Sequence, residues 1–436
     1  MPSPAPEPLA PRPLSVWLVN PFDDVPGEGL PPLRYWSLAR ILAARGHDVT
    51  WWTATWSHRR KAIRSAPLGI REDEGFAVRL VAVRPYDSNV SLARMASHRD
   101  FGRTFERLAR ESVSSGQLER PDIILASLPP LDSPEAAARL AQQLDATFVL
   151  DLMDLWPETF ERLLPGPGLL RRLVAPFLLG GMEKRRRALV AAADAVAAAT
   201  RSYADAVLRD APADLPRHVC YVGAYPQEFG TPPRHIDHVP MAGGGEAATP
   251  AAVEPLQCVY AGSLEAGQDL DVLPAAARQL SAAGVQATIH VAGTGRLEPA
   301  LRRAAASGGS CRLEVHGLLA RPAYVGLLQR CDVGLVCVKP ESFVAVPYKA
   351  CDFAAAGLAI VNSLPGELQG LVDEHRAGVP YTAGDAGSLA RVIQSLAADR
   401  KKLVELQQGA RLLAAAEFDR ERTYPRFADW LETVSG

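Results

Sequence analysis

The segment Val346-Pro347-Tyr348-Lys349-Ala350-Cys351-Asp352 places a cation where a helix would normally avoid one. If a helix begins near Pro347, Lys349 falls in its first turn, and the helix dipole disfavours positive charge there. A bound anion would account for that placement, because a lysine beside unpaired backbone N–H groups makes a diphosphate site. Asp352 follows three residues on, on the same face. The alternative is an exposed lysine with no partner. Gly27-Glu28-Gly29 offers a second candidate, since glycines after a strand let amides approach a ligand closely. The spacing lacks the third glycine of the dinucleotide fingerprint, so a plain turn is equally compatible. In FVLDLMDLWPETF, Asp151, Asp154 and Glu158 lie near the carboxyl end of an expected strand, where a binding or catalytic carboxylate would belong. The alternative for Asp154 is a cap on a short helix opening at Trp156-Pro157. Arg296, directly after Gly293-Thr294-Gly295, could reach a phosphate, although a G-x-G-R turn is common. His235 and His238 have i, i+3 spacing in a stretch with no rigid element to hold them. No nucleophile elbow, Walker loop or H-E-x-x-H is present.

Elements that could position these residues follow from periodicity. Leu14–Val19 reads as a buried strand, and Tyr35, Leu38, Ala39 and Leu42 give the next segment one apolar helical face. HDVTWWTAT, Val78–Val83, Ile123–Ala126 and Thr147–Leu150 are further expected strands, with a helix over Ser133–Leu144. In the second half, strands are expected at Gln257–Ala261, Ala287–Ala292, Val333–Val338 and Ala359–Asn362. Helices alternate with them around Leu270–Leu280, Leu297–Ala305 and Leu389–Leu396. Such alternation predicts βαβ units and mostly parallel sheets. A chain of 436 residues exceeds the ~250–300 residues over which one core usually grows, so two α/β, doubly wound, Rossmann-like domains facing a cleft are expected. Ligands of such sheets bind at the strands' carboxyl ends.

Composition narrows the class. With 47 Lys+Arg against 49 Asp+Glu, a net charge of -2 supplies no field for a polyanion, and no nucleic-acid partner is expected. No apolar run approaches the ~18–20 residues of a membrane span. The six cysteines form no C-x-x-C pair, consistent with reduced core thiols in a cytoplasmic protein. MPSPAPEPLAPRP has no charged-then-apolar layout of a secretory signal and reads as a disordered lead-in over 1–13. Residues 169–190 pair a leucine-rich face with Arg171, Arg172 and the cluster Lys184–Arg187. That pattern suits either an anionic membrane surface or ordinary domain helices.

Taken in order, the Gly-Glu-Gly loop, GHDVT, TWSHRRK, RPYDSNVSLARMASHRDF, DLWPET, YAGSLEAGQDLDVLPAA, HVAGTGRLEPAL, RCDVGL and VPYKACDFAAAGLAIV resemble family 4 glycosyltransferases of the GT-B fold. Within them they are most similar to bacterial surface-polysaccharide enzymes of the N-acetylfucosamine transferase-like branch. The resemblance spans roughly 14–430. It implies an acceptor-binding domain at 14–215, a linker or insertion at 216–255 and a nucleotide-sugar-binding domain at 256–415. A helix within 416–436 would cross back onto the first domain. By the same resemblance Lys349 contacts the diphosphate, Asp352 takes the place of the ribose-binding glutamate, and Gly262-Ser263 form the turn near the diphosphate. Gly27 and Gly29 fall in the loop facing it, and Asp154 and Glu158 in the branch's D-x-W-P-E motif. The first glutamate of the paired motif would fall at Val344, with Glu341 the nearest acid. The family's Arg and Lys after the glycine turn are absent from GSLEAGQD.

The resemblance therefore implies a metal-independent, retaining glycosyltransferase acting on a nucleotide-sugar substrate and a lipid-linked or polysaccharide acceptor, with no cofactor. Lys349, Asp154 and Glu28 are its catalytic candidates. The donor would meet Gly262, Ser263, Arg296, Lys349, Asp352 and Glu341. The expected place is the cytoplasm, with a peripheral contact on the inner face of the plasma membrane. A nucleotide-sugar 2-epimerase and a catalytically silent partner subunit are the rival readings.

Overall fold

The computed structural model describes residues 12–28, 32–64, 69–71, 74–89, 91–163, 168–230, 254–306 and 308–435. These fall into two compact units. The first draws on Met1–Ala199, Ala204–Val219 and Tyr424–Gly436, the second on Thr200–Tyr203 and Cys220–Thr423.

Apolar, β-branched and aromatic runs build the first sheet. Its strands are β1 (Ser15–Val19), β2 (Asp48–Ala54), β5 (Gly69–Arg71), β6 (Phe76–Val81), β7 (Ile123–Leu128), β8 (Thr147–Leu152), β9 (Ala195–Ala198) and β10 (Arg217–Val219), while β3 (Trp56–Ser57) and β4 (Ala62–Ile63) form a separate antiparallel ribbon. The eight lie in the order β10-β9-β8-β7-β1-β2-β6-β5. All neighbours pair in parallel except β5 with β6. Strands β1 and β7 are buried along their whole length, as central parallel strands covered on both faces must be. Helix α1 (Arg34–Ala44) buries Tyr35, Leu38, Ala39 and Leu42, the stripe its sequence spells out. It is followed by α2 (Leu92–Ser114), whose N-terminus is capped by the Ser91 hydroxyl accepting from the Arg94 amide, then α3 (Asp132–Leu144), α4 (Gly168–Ala192) and α5 (Arg201–Val207).

The second sheet is wholly parallel, in the order β13-β12-β11-β14-β15-β16. Its strands are β11 (Leu256–Ala261), β12 (Ala287–Ala292), β13 (Cys311–Gly317), β14 (Val333–Val336), β15 (Ala359–Asn362) and β16 (Gly378–Pro380). Helices α6 (Val272–Ala282), α7 (Glu298–Ala305), α8 (Arg321–Leu328), α9 (Tyr348–Ala355), α10 (Glu367–Glu374), α11 (Ala386–Ala398) and α12 (Arg400–Leu413) alternate with them. Leu256, Cys258, Tyr260, Ile289, Val291, Leu335 and Ile393 lie in one buried cluster, so strand and helix faces close a single core. All six cysteines are free and buried. Strand β13 alternates buried and exposed positions, so a search for continuous apolar runs passes over it.

Two boundaries shift from the sequence reading. Residues 216–230, expected as linker, carry edge strand β10 and the 3-10 turn Pro226–Phe229, and 231–253 lie outside the described residues. The last helix, α13 (Arg420–Val434), contributes to the first unit only from Tyr424 onward. There Tyr424, Phe427, Ala428 and Leu431 are fully buried. The Arg34 guanidinium lies 4.7 Å over the Phe427 ring, and Glu432 accepts from Arg45 at 2.8 Å and meets His47 at 2.9 Å.

Candidate functional site

Two glycine loops stand at the carboxyl ends of β11 and β12, and they are built against each other. The Gly262 amide donates to the Ala292 carbonyl at 2.9 Å, and the Leu264 amide to Thr294 at 2.9 Å. Gly293, at φ 144°, leaves no room for a side chain: an added Cβ would sit 1.8 Å from the Gly262 oxygen. That spacing explains why the loops need glycine. The amides of Ser263, Thr294 and Gly295 make no hydrogen bond among the described residues, and Ser263 and Thr294 are exposed.

Lys349 comes to the same place from α9, which starts at Tyr348 with Pro347 as its extended cap residue. Its Nζ lies 3.8 Å from the centroid of the Tyr260 ring and would be 3.0 Å from a Cβ on Gly262. Tyr260 is fixed in turn, its hydroxyl donating to the Ser263 carbonyl at 2.9 Å and lying 3.2 Å from Gln268 Oε1. The residue is half-buried, and the crowding around its ammonium pushes its pKa down to about 7. No carboxylate pairs with it among the described residues. A partly desolvated ammonium, unpaired amides and a helix N-terminus converging on one point form a receptor for an anion.

The other residues expected in this unit are placed differently. Arg296 is exposed and its Nε is bonded to Glu265 at 2.9 Å, so its charge is already met on the surface. Asp352 accepts from Arg321 at 3.1 Å and from the Tyr324 hydroxyl at 3.0 Å, and Arg321 also holds Glu228. Glu341 is exposed without an ion pair among the described residues, and Val344 is half-exposed. Gly262, Ser263 and Lys349 are therefore the expected residues that the structure brings together.

In the first unit the loop after β1 is folded by Asn20, whose side-chain oxygen accepts from the amides of Phe22 and Asp23. Gly27 has φ 80° and makes the turn, while Gly29 lies outside the described residues. Both oxygens of Glu28 are taken: one by Arg60, the other by Arg64 at 2.6 Å and the Val25 amide at 3.1 Å. Asp154 accepts from the Leu155 amide at 2.8 Å and the Thr159 hydroxyl at 3.3 Å, ahead of the 3-10 helix Glu158–Leu163, whose first-turn amides it does not cap. Glu158 is held by Arg186 at 2.6 Å and Asp151 by a buried two-point bond to Arg34 at 2.9 Å. Three members of the basic cluster are likewise committed, Arg185 to Glu135 and Asp132, Arg186 to Glu158, and Arg187 to Glu183, while Lys184 is exposed. Phe177 and Leu178 of α4 remain exposed.

Sequence reasoning passed over a second group here. His58, Tyr86, Arg94, His98, Phe22 and Trp156 converge: His58 Nδ1 lies 2.6 Å from the Tyr86 hydroxyl, Arg94 Nε donates to His98 Nε2 at 3.3 Å, and the Arg94 guanidinium lies 5.4 Å over Phe22 and 5.6 Å over Trp156. Burial and the neighbouring cations push both histidines down to about 3, so they are neutral. His98 Nδ1 is buried without a partner and belongs to the lining of a cavity of about 10 Å³. Asp24 is fully buried with Oδ1 unpartnered, its pKa raised by burial against the pull of Arg59 and Arg64. The signal was present, since Ser-His-Arg occurs twice, at 57–59 and 97–99, inside the motifs that carried the resemblance.

Two parallel-sheet α/β units, the second with an anion receptor at its strand ends, define a glycosyltransferase of the GT-B fold. Family models agree: residues 33–223 match the glycosyl transferase 4-like domain and 255–399 the glycosyl transferases group 1. The chain belongs to the GT-B glycosyltransferases. Among curated protein sequences nothing matches it. In fold it is similar to sucrose-phosphate synthase from Thermosynechococcus elongatus (TM-score 0.70, 16% identity, 97% of this chain and 99% of that one). It is also similar to Anabaena HepE in complex with UDP-glucose (0.61, 16%, 96% and 100%). A third is WaaG, a glycosyltransferase involved in lipopolysaccharide biosynthesis (0.59, 14%, 95% and 98%). Among the described residues no helix is long and apolar enough to cross a membrane.

Proposed function

We propose that the enzyme transfers a sugar from a nucleotide-diphosphate-sugar to a hydroxyl of a lipid-linked or polysaccharide acceptor. The single observation that carries this is the Lys349 ammonium, seated between Gly262 and the Tyr260 ring with no carboxylate among the described residues to neutralise it. A leaving diphosphate develops negative charge as the glycosidic bond breaks. Lys349 and the amides of Ser263, Thr294 and Gly295 meet that charge without a metal ion, and preorganised donors of this kind are the main source of such stabilisation. Anabaena HepE, in complex with UDP-glucose, supports the donor class, and WaaG, involved in lipopolysaccharide biosynthesis, supports a glycan acceptor. The acceptor is assigned to the first unit, where Arg94, half-buried beside Phe22, suits an anionic group. Retention of configuration and the surface-polysaccharide branch belong to the same proposal. So does a peripheral membrane contact, for which Phe177 and Leu178 are the supporting residues.

Lys349→Ala removes one transition-state contact and lowers turnover by ~100-fold or more while the chain stays folded. Calorimetry with a panel of UDP- and GDP-sugars, followed by transfer assays on both proteins, is the measurement. Full turnover in the variant refutes the role. Epimerised donor, formed without acceptor, would favour the 2-epimerase.

A further inference from the structure

We propose that the outward face of β12 and β13 is a binding site for a divalent transition ion of the zinc class, held by His290, Glu314 and His316. Parallel pairing sets His290 opposite Glu314, and residues two apart on a strand share a face, so His316 joins them. The ladder shifts register between Val291 and Ala292, stepping from Val315 to Gly317 and leaving His316 as the extra residue. A bulge of this kind re-aims a side chain. His290 Nδ1 lies 3.0 Å from His316 Nε2 and 3.4 Å from the nearer Glu314 oxygen, and all three ligand atoms fall within 4.8 Å of one another.

Those separations fit coordination. Bonds of ~2.0–2.1 Å to a tetrahedral ion give edges of about 3.4 Å, so two edges stand close to that length before any ion is bound. The remaining position is open to water, because Glu314 and His316 are exposed. The tautomer is also set. Gln257 Oε1 lies 2.9 Å from His290 Nε2 and accepts only if that nitrogen carries the proton, which leaves the Nδ1 lone pair for the ion.

The consequence reaches the anion receptor by a short route. The Gly293 amide donates to the Gly317 carbonyl at 2.8 Å, directly beyond the two histidine-bearing strand ends, and Gly293 itself packs on Gly262. An ion at this place therefore pins edge strand β13 to β12 just before the loop that shapes the receptor. It takes no part in the transfer step.

The test is calorimetric titration of Zn²⁺ into tag-free protein carrying H235N and H238N, which removes the histidine pair three apart in sequence. One ion per chain is expected, with affinity reduced at least tenfold in H316A and in H290A, and about tenfold in Q257A through loss of the orienting bond. Co²⁺ should give the intense visible bands of a four-coordinate ion. The buried cysteines do not compete. His316 is exposed, so H316A is expected to keep its fold, checked by circular dichroism. Absence of stoichiometric binding, binding unchanged in folded H316A, or only six-coordinate Co²⁺ spectra would each overturn the proposal. Because the readout is metal affinity, it stands or falls independently of sugar transfer.

Discussion

Lys349 illustrates how one side chain can be costly until its ligand arrives. Its pKa near 7 lies far below the ordinary 10.5, so between those values the unfolded chain holds a proton that the folded one has lost. Stability of the second unit therefore rises with pH across that window. A bound diphosphate favours the ammonium and reverses the bias. UDP binding above pH about 7 is expected to take up a proton, and affinity to fall by up to about tenfold per pH unit. Calorimetry in buffers of different ionisation heat reads the uptake directly, and none at pH about 8 would separate Lys349 from the ligand. This residue was legible because a lysine in a helix's first turn asks for an anion. Glu28 was not legible in the same way, because its sequence neighbours do not reveal Arg60 and Arg64, which occupy its oxygens.

At the level of elements, the receptor depends on two loops that share backbone space. Gly293→Ala would force a Cβ into the Gly262 carbonyl and is expected to cost ~2–4 kcal/mol. Gly384→Ala also meets positive φ, 77°, but has nothing within 4 Å, and should cost only ~1–2 kcal/mol. Equal denaturant midpoints for the two would show that crowding is not the cause. On α4 Arg185, Arg186 and Arg187 are engaged in ion pairs, so the proposed membrane contact is tested at the exposed Phe177 and Leu178. The double change F177S/L178S should reduce co-sedimentation with anionic vesicles several-fold; undiminished pelleting would remove that surface from consideration. Continuous apolar strands were read correctly, since burial on both faces of a parallel sheet leaves that imprint. β13 was missed because an edge strand alternates, and the histidine and aromatic group of the first unit because its members come from separate elements.

Over the whole molecule, two α/β units were legible from length and rhythm, and the return of the last helix to the first unit from the family resemblance, but its starting point at Tyr424 was not. Tyr424, Phe427 and Leu431 are core residues of the first unit although the second unit's sequence separates them from it. Truncation before Tyr424 should lower the melting transition of the first unit by roughly 5 °C or more while leaving the second nearly unchanged, as followed by scanning calorimetry. A uniform loss in both transitions would contradict the assignment. Synthesis adds a further consequence. The first unit leaves the ribosome early, yet its last piece is made only after some two hundred more residues, a wait on the order of ten to forty seconds at bacterial-to-eukaryotic elongation rates. During that interval the Arg34 and His218 side chains lack the aromatic helix that covers them. The nascent amino-terminal half is thus a client for chaperones until translation ends.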